Sequence, residues 1–273
     1  MLESFLVTSR ETLEASLVVG IVLAYLNKTN NKNYKKTVYY GIVFGILASI
    51  LAAFAFTFFA GDFEGKAEQI FEGTTMLIGA FLLTTMILWM MQQRQISKDI
   101  EGKVERHLMN AQPLFSHIGI FLLISIAIIR EGVETVIFLN AINYASGINF
   151  FGGTLGIIAA ILVGYLFFVS TKKINLKKLF GISSILLILF AAGLMVHAFH
   201  ELEEANLVNG IITPLFDINN ILNEKGLIGG FLKGLFGYNG NPNLLEVLVY
   251  VSYLVLIFYL YKRIESSRIK ANS

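Results

Sequence analysis

Residues 6–26 read LVTSRETLEASLVVGIVLAYL, and residues 118–143 read IGIFLLISIAIIREGVETVIFLNAIN. Each stretch lies in an apolar segment long enough to cross a bilayer, and each carries the same charged pattern. The first holds Arg10-Glu11-Thr12-Leu13-Glu14 and the second Arg130-Glu131-Gly132-Val133-Glu134. A charge at the bilayer centre costs about 2.5–3.5 kcal/mol on insertion scales and more by simulation. Three such charges, repeated at identical spacing, point to an ion pathway. The structural alternative is a pair of internal ion pairs, Arg10 with Glu14 and Arg130 with Glu134, that lock helices together. It leaves Glu11 and Glu131 without a role.

The rest of the chain fits a membrane protein. Of 273 residues, 55% are hydrophobic and 15% charged, with a mean hydropathy of +0.68; soluble domains carry about 25% charge. With no cysteine, thiolate metal sites and disulfides are excluded, and any metal must be held by oxygen or imidazole. The N-terminus lacks a basic head and carries Glu3, so it does not read as a cleaved signal peptide.

Apolar windows near residues 3–26, 38–60, 69–91, 117–143, 152–170, 179–200 and 245–262 give an expected seven transmembrane helices. Lysine and arginine alternate with them. The links after spans 1, 3 and 5 and the C-terminal tail hold 16 basic residues, including Lys28, Arg94, Lys172, Lys173 and Arg263. The opposite links hold only Lys66, Lys225 and Lys233. The positive-inside rule then places the N-terminus outside and the C-terminus inside. The outer side is acidic, with Asp62, Glu64 and Glu68 before span 3, and Glu201, Glu203, Glu204, Asp217 and Glu224 after span 6.

The pattern also repeats at a larger scale. Spans 1 and 4 carry the paired motif. Spans 2 and 5 open with Gly41-xxx-Gly45 and Gly152-xxx-Gly156, spacings that let helices pack closely. Spans 3 and 6 carry acidic residues near their outer ends, Glu68 and Glu72 in one and Glu201 and Glu204 in the other. Three is an odd number, so the second triplet enters from the opposite side. This gives an inverted three-plus-three repeat with a seventh helix appended, an architecture that puts substrate near the midplane. The expected divisions are residues 1–92 and 117–204 for the two repeats, 93–116 for a cytoplasmic link, 205–244 for an outer loop, and 245–273 for the last helix and tail.

Residues three and four apart share a helix face, so each motif aligns its arginine and both glutamates on one stripe. Two facing stripes would gather four carboxylates, which repel in low dielectric unless a cation neutralises them. Each motif nets −1, and Glu72 would bring the cavity to −3, matching a trivalent ion. Guanidinium cannot coordinate a cation, so Arg10 and Arg130 read as organisers. Carboxylate oxygens suit hard cations but do not separate Fe³⁺ from Mn²⁺, Mg²⁺ or Ca²⁺.

At the end of span 6, His197, His200, Glu201 and Glu204 share one side while Glu203 points away. The group reads equally as a metal-receiving mouth or as a polar helix end. Glu68 and Glu72 share a face, with Glu72 the deeper. His107 and His117 read as surface residues. The glycine-rich stretch from Gly226 to Gly240 is too short to span, and reads as an outer interfacial helix or partly re-entrant loop.

These motifs, with Ile70-Phe71-Glu72-Gly73, His200-Glu201-Leu202-Glu203-Glu204, Pro214-Leu215-Phe216-Asp217, Gly237-Tyr238, Pro242 and Leu244 to Glu246, resemble the high-affinity iron permeases. That family includes the oxidase-dependent iron transporters of fungi and EfeU-like bacterial relatives. The resemblance covers nearly the whole chain. It implies an all-α membrane protein that takes up iron, with Glu11, Glu14, Glu131 and Glu134 coordinating the ion in transit. It also implies a partner that oxidises Fe²⁺ and hands over Fe³⁺. The chain has no haem motif or copper ligand set, so such an oxidase or iron-binding protein would be a separate extracytoplasmic chain.

The expected function is thus a permease, not an enzyme, importing ferric iron across the cell membrane, the inner membrane of a prokaryote. Its cargo is Fe³⁺, with no bound organic cofactor and no nucleic-acid partner. Capture at Glu72, Glu201 and Glu204 would precede a midplane site, supported by Arg10, Arg130, His197, His200 and Glu68. Rival readings are a carrier of another hard divalent cation, a proton-coupled carrier, an intramembrane ferroxidase with a fixed two-metal site, and a membrane scaffold that docks an oxidase.

Overall fold

The computed structural model describes residues 1–61, 63–92, 96–108, 113–169, 176–209, 212, 214–224 and 226–270. Asp62, Arg94, Lys172, Lys173 and Lys225, named above for the charge pattern, lie outside the described residues.

Among the described residues the fold is all helical. In chain order the helices are α1 (Leu2–Lys28), α2 (Lys35–Ala60), α3 (Lys66–Gln92), α4 (Ile96–Leu108), α5 (Pro113–Ser146), α6 (Phe150–Val169), α7 (Leu176–Glu204), α8 (Leu227–Phe236) and α9 (Leu244–Lys270). A single 3₁₀ turn, Lys32–Tyr34, leads into α2. Among the described residues, five helices are long and apolar enough to cross a membrane: α2 with its leading turn, α3, α6, α7 and α9. The charged motifs interrupt the other two long helices, α1 and α5. With 34 residues, α5 extends about 51 Å at 1.5 Å per residue, more than the ~30 Å of bilayer hydrocarbon. It begins four residues before the expected window, at Pro113, where the fixed φ of proline suits the first helical turn.

The helices pair in a crossed pattern. α1 lies along α6, α2 along α5, and α3 along α7. Glycines make the first two contacts possible. A Cβ on Gly156 would come 2.6 Å from the Phe5 carbonyl and would overlap Thr8, while one on Gly45 would come 2.7 Å from Ile128 and 3.3 Å from the Ser125 carbonyl. Phe5 and Thr8 stand five and two residues before Arg10, and Ser125 and Ile128 stand five and two before Arg130. Gly152 and Gly41 continue the correspondence, meeting the carbonyls of Met1 and Phe121, each nine residues before its arginine. The Gly-xxx-Gly pairs therefore seat both motif helices at the same register.

The third contact, α3 on α7, forms the centre of the largest core. Met76, Ala80, Leu83 and Ile87 meet Leu187, Phe190, Ala191 and Leu194, with Phe138 and Ile142 of α5 and Tyr253 and Ile257 of α9 closing the sides. Outward faces are apolar instead of polar: Leu51, Phe54 and Phe58 on α2 and Ile158, Leu162 and Tyr165 on α6 are all exposed. That arrangement suits lipid as the surrounding solvent, where apolar exposure costs nothing.

Two elements were less legible. The basic link holds a helix of its own, α4, whose Val104 is buried against Val22, Leu26, Val38, Ile120 and Ile124. Histidines expected at the surface pack at this end. His117 Nδ1 lies 2.6 Å from the Thr37 hydroxyl with its ring 4.5 Å from that of Tyr34, and the His107 ring fills the space beside Gly119. The glycine-rich stretch forms α8, which packs against α7. Gly237 ends it in the left-handed region (φ +64°), a conformation glycine takes without a Cβ penalty. There it abuts Gly193 of α7 backbone to backbone. Gly193 lies eleven residues before the end of α7, so the end of α8 meets α7 about 16 Å along it from the acidic end.

Candidate metal site

The packing of α1, α5 and α3 brings the two motifs together. On α1, Arg10 Nη1 lies 3.3 Å from Glu11 Oε1, and Nη2 lies 3.1 Å from Glu14 Oε1. On α5, Arg130 Nη2 lies 2.7 Å from Glu131 Oε1, and Nε lies 3.4 Å from Glu134 Oε1. Each arginine therefore bridges both glutamates of its own motif: the i, i+4 partners are those the helical spacing predicts, while the adjacent Glu11 and Glu131, left without a role in the ion-pair alternative, are paired as well. Across the helices, Glu11, Glu14 and Glu131 each offer an oxygen within 4.8 Å of the others. Glu131 is within hydrogen-bond reach of Glu11. Glu134 stands beside this triad, within electrostatic reach of Glu14.

Burial makes the cluster chemically demanding. Glu11 and Glu131 are buried, and Glu14 is nearly so. Glu11 Oε2 and Glu131 Oε2 have no hydrogen-bond donor among the described residues, and Glu14 Oε1 has only the Arg10 ion pair. Four carboxylates face two guanidiniums, so the group nets −2 when all are ionised. Buried acceptors without donors, and like charges in contact, are both costly. A cation held among these oxygens, or protons on them, removes both penalties. The ion-pair alternative is present in the geometry too, but it uses one oxygen per carboxylate and leaves the second oxygens of Glu11 and Glu131 idle.

Sequence reasoning missed what covers the arginines. Arg10 points its guanidinium at α3, with Nη1 3.1 Å from Met86 Sδ and Nη2 4.0 Å from Met90 Sδ. Arg130 lies over the Trp89 ring, 5.9 Å from its centroid. Met86, Trp89 and Met90 all sit in the last two turns of α3. Nothing in the two motifs indicates that α3 supplies these contacts.

The other predicted residues assemble elsewhere, at the acidic end of α3 and α7. Glu72 lies within electrostatic reach of Glu68, Glu201 and Glu204. Gln69 donates to Glu204 Oε2 at 3.2 Å. His200 Nε2 lies 3.4 Å from Glu204 Oε1, and His197 has its Nε2 buried without a hydrogen-bond partner among the described residues. Glu203 turns away as expected, and accepts a hydrogen bond from Asn243 at the start of α9. The apolar core of α3 and α7, from Met76 to Leu83 and from Leu187 to Leu194, lies between this acidic end and the motif carboxylates.

Comparison with known proteins is decisive at this point. The chain matches the iron permease FTR1 family over residues 1–264. It belongs to that family. The permease is 33% identical over 267 residues to the ferrous iron permease EfeU of Yersinia pestis, covering 95% of this chain and 94% of that one. It is 29% identical over 260 residues to the ferrous iron permease EfeU of Escherichia coli O6:K15:H31, covering 93% of each. No solved structure matches it. The permease is accordingly a multi-pass cell-membrane transporter rather than an enzyme, and its family transports iron.

Proposed function

We propose that this permease imports iron through a site built by both motifs, with Glu11, Glu14 and Glu131 as ligands and Glu134 as a fourth carboxylate that joins during transit. The convergence of three carboxylates from α1 and α5, with acceptor oxygens that no donor satisfies, carries this reading. Arg10 and Arg130 hold the carboxylates apart from one another and set the net charge. Glu72, Glu201 and Glu204 capture the ion at the acidic end, with Glu68 beside them.

The crossed pairing of α1 with α6 and α2 with α5, with α3 on α7, supports an inverted repeat of residues 1–92 and 117–204. An in-plane two-fold axis exchanges the first two pairs and maps the third onto itself. In this reading α1, α2, α3, α5, α6, α7 and α9 are seven spans, with the N-terminus outside and the lysine-rich links and tail inside. Residues 93–116 form the inner link, 205–244 the outer loop and 245–273 the last span and tail. The two repeats rock about the carboxylate site to expose it to one side and then the other.

The all-oxygen donor set supports ferric iron as cargo, delivered by a separate oxidase or iron-binding protein. A second reading, ferrous iron, is favoured by the names of the relatives. Uptake of ⁵⁵Fe into cells expressing Glu14→Ala or Glu134→Ala tests the site. Uptake should fall to background at unchanged expression, and normal uptake in both variants would refute coordination by the motifs. Anaerobic uptake of Fe²⁺ with ascorbate, against Fe³⁺-citrate in air, separates the two oxidation states.

A further inference from the structure

The acidic end contains a pairing that the capture residues do not explain. Glu246, in the first turn of α9, is 4% exposed. Its backbone N–H is satisfied by the Asn243 side chain at 2.7 Å, so Asn243 caps the helix. A glutamate three residues after a cap commonly folds back onto the cap's own N–H. Here both carboxylate oxygens are engaged elsewhere. Oε2 accepts from the Asn239 side chain at 2.8 Å, and Oε1 lies 3.0 Å from His200 Nδ1.

A carboxylate can only accept, so His200 Nδ1 carries the proton and donates it to Glu246. The other ring nitrogen, Nε2, is the one left to coordinate a cation, which would take the place of any proton shared with Glu204. Nε2 faces Glu204, 3.4 Å away, among the acidic residues of α3 and α7. A buried carboxylate that fixes an imidazole in this tautomer is the arrangement by which proteins prepare histidine to bind a metal. One turn inward on the same face of α7, His197 has a second ring nitrogen, buried and without a hydrogen-bond partner among the described residues.

We propose that His200 is a nitrogen ligand of the capture site and that Glu246 is its positioning residue, holding Nε2 toward Glu204. This rests on the iron-import reading above and deepens it by supplying selectivity. Carboxylates alone accept Mg²⁺, Ca²⁺ and Mn²⁺ readily, whereas imidazole favours iron and the later transition metals. The His200–Glu246 pair lets the mouth reject the abundant alkaline-earth ions before they reach the motif carboxylates. His197 stands next in line as the ion moves inward.

The test combines uptake with a spectroscopic probe. His200→Ala and Glu246→Ala should each raise the KM for ⁵⁵Fe uptake about tenfold, the lower end of the effect expected for losing such an outer partner, with the maximal rate retained. Millimolar Ca²⁺ should then inhibit both variants but not the parent, and Glu246→Asp should recover part of the affinity. For direct observation, Mn²⁺ is added to Glu14→Ala/Glu134→Ala protein in lipid nanodiscs and examined by electron spin-echo envelope modulation. The signal should show one imidazole nitrogen, lost on adding His200→Ala and weakened on adding Glu246→Ala. Absence of bound Mn²⁺, absence of the nitrogen modulation, or an unchanged KM in both single variants would overturn the proposal. Normal ⁵⁵Fe uptake by Glu14→Ala and Glu134→Ala would instead overturn the motif carboxylate site of the import reading and leave the capture site standing.

Discussion

The two motifs have the same spacing and opposite surroundings. Arg10 is 1% exposed, pressed against Met86 and Met90, whereas Arg130 is 51% exposed with Trp89 as its neighbour. Glu11 and Glu131 are nevertheless both buried at the junction of α1 and α5. The two motifs therefore bring their carboxylates to one place and differ in how the arginine is enclosed. The first motif is the enclosed one. The second motif is the more exposed one, with Arg130 half exposed and Glu134 partly so.

That contrast can be broken by substitution. The largest effect belongs to transport. Glu11→Gln combined with Glu131→Gln removes two charges from the shared face and should reduce ⁵⁵Fe uptake by about a hundredfold, roughly 2.7 kcal/mol if the effect is entirely on the transport barrier. If the halves acted separately, each single variant would keep half the rate.

Next is the stability of the enclosed half. Arg10→Ala strands two buried carboxylates and should cost about 3–5 kcal/mol, whereas Arg130→Ala, half in the open, should cost under about 1 kcal/mol. Unfolding in detergent, followed by fluorescence-detected gel filtration over a temperature series, measures both. Equal losses would erase the proposed asymmetry.

Smaller effects test the register. Gly156→Ala and Gly45→Ala drive a methyl into the α1–α6 and α2–α5 contacts, where overpacking costs about 1–3 kcal/mol. Gly156 should be the costlier, because its Cβ would meet the Phe5 carbonyl at 2.6 Å, a backbone atom that cannot swing aside. Last, Trp89→Ala removes the ring beneath Arg130 and should cost about 0.5–1 kcal/mol, while leaving the Arg10 half unchanged. A larger loss would show that Trp89 supports more than Arg130.

Much of this was legible in the chain itself. Hydropathy located α2, α3, α6, α7 and α9, and the Gly-xxx-Gly spacings announced the close contacts, because helix packing in lipid turns on where backbones can approach. The i, i+4 spacing foretold the pairing of Arg10 with Glu14 and of Arg130 with Glu134, but not the pairing with the adjacent Glu11 and Glu131. Cross-helix partners were not legible. A helical wheel gives the face on which Arg10 lies but not that Met86 and Met90 of α3 lie opposite. Glu246 sat in a recognised stretch with no hint that it would reach back to His200, 46 residues earlier. α4 is masked by the charge of the basic link, although Ile100, Val104 and Leu108 recur at helical spacing and pack inward.

The central claim is that α1 and α5 jointly hold one iron. Crystals of the permease soaked in iron and measured with anomalous scattering at the iron absorption edge test it directly. The account predicts a single midplane peak within bonding distance of carboxylate oxygens from Glu11 or Glu14 on one helix and Glu131 on the other. Separate peaks at each motif, or iron bound to one helix alone, would contradict it.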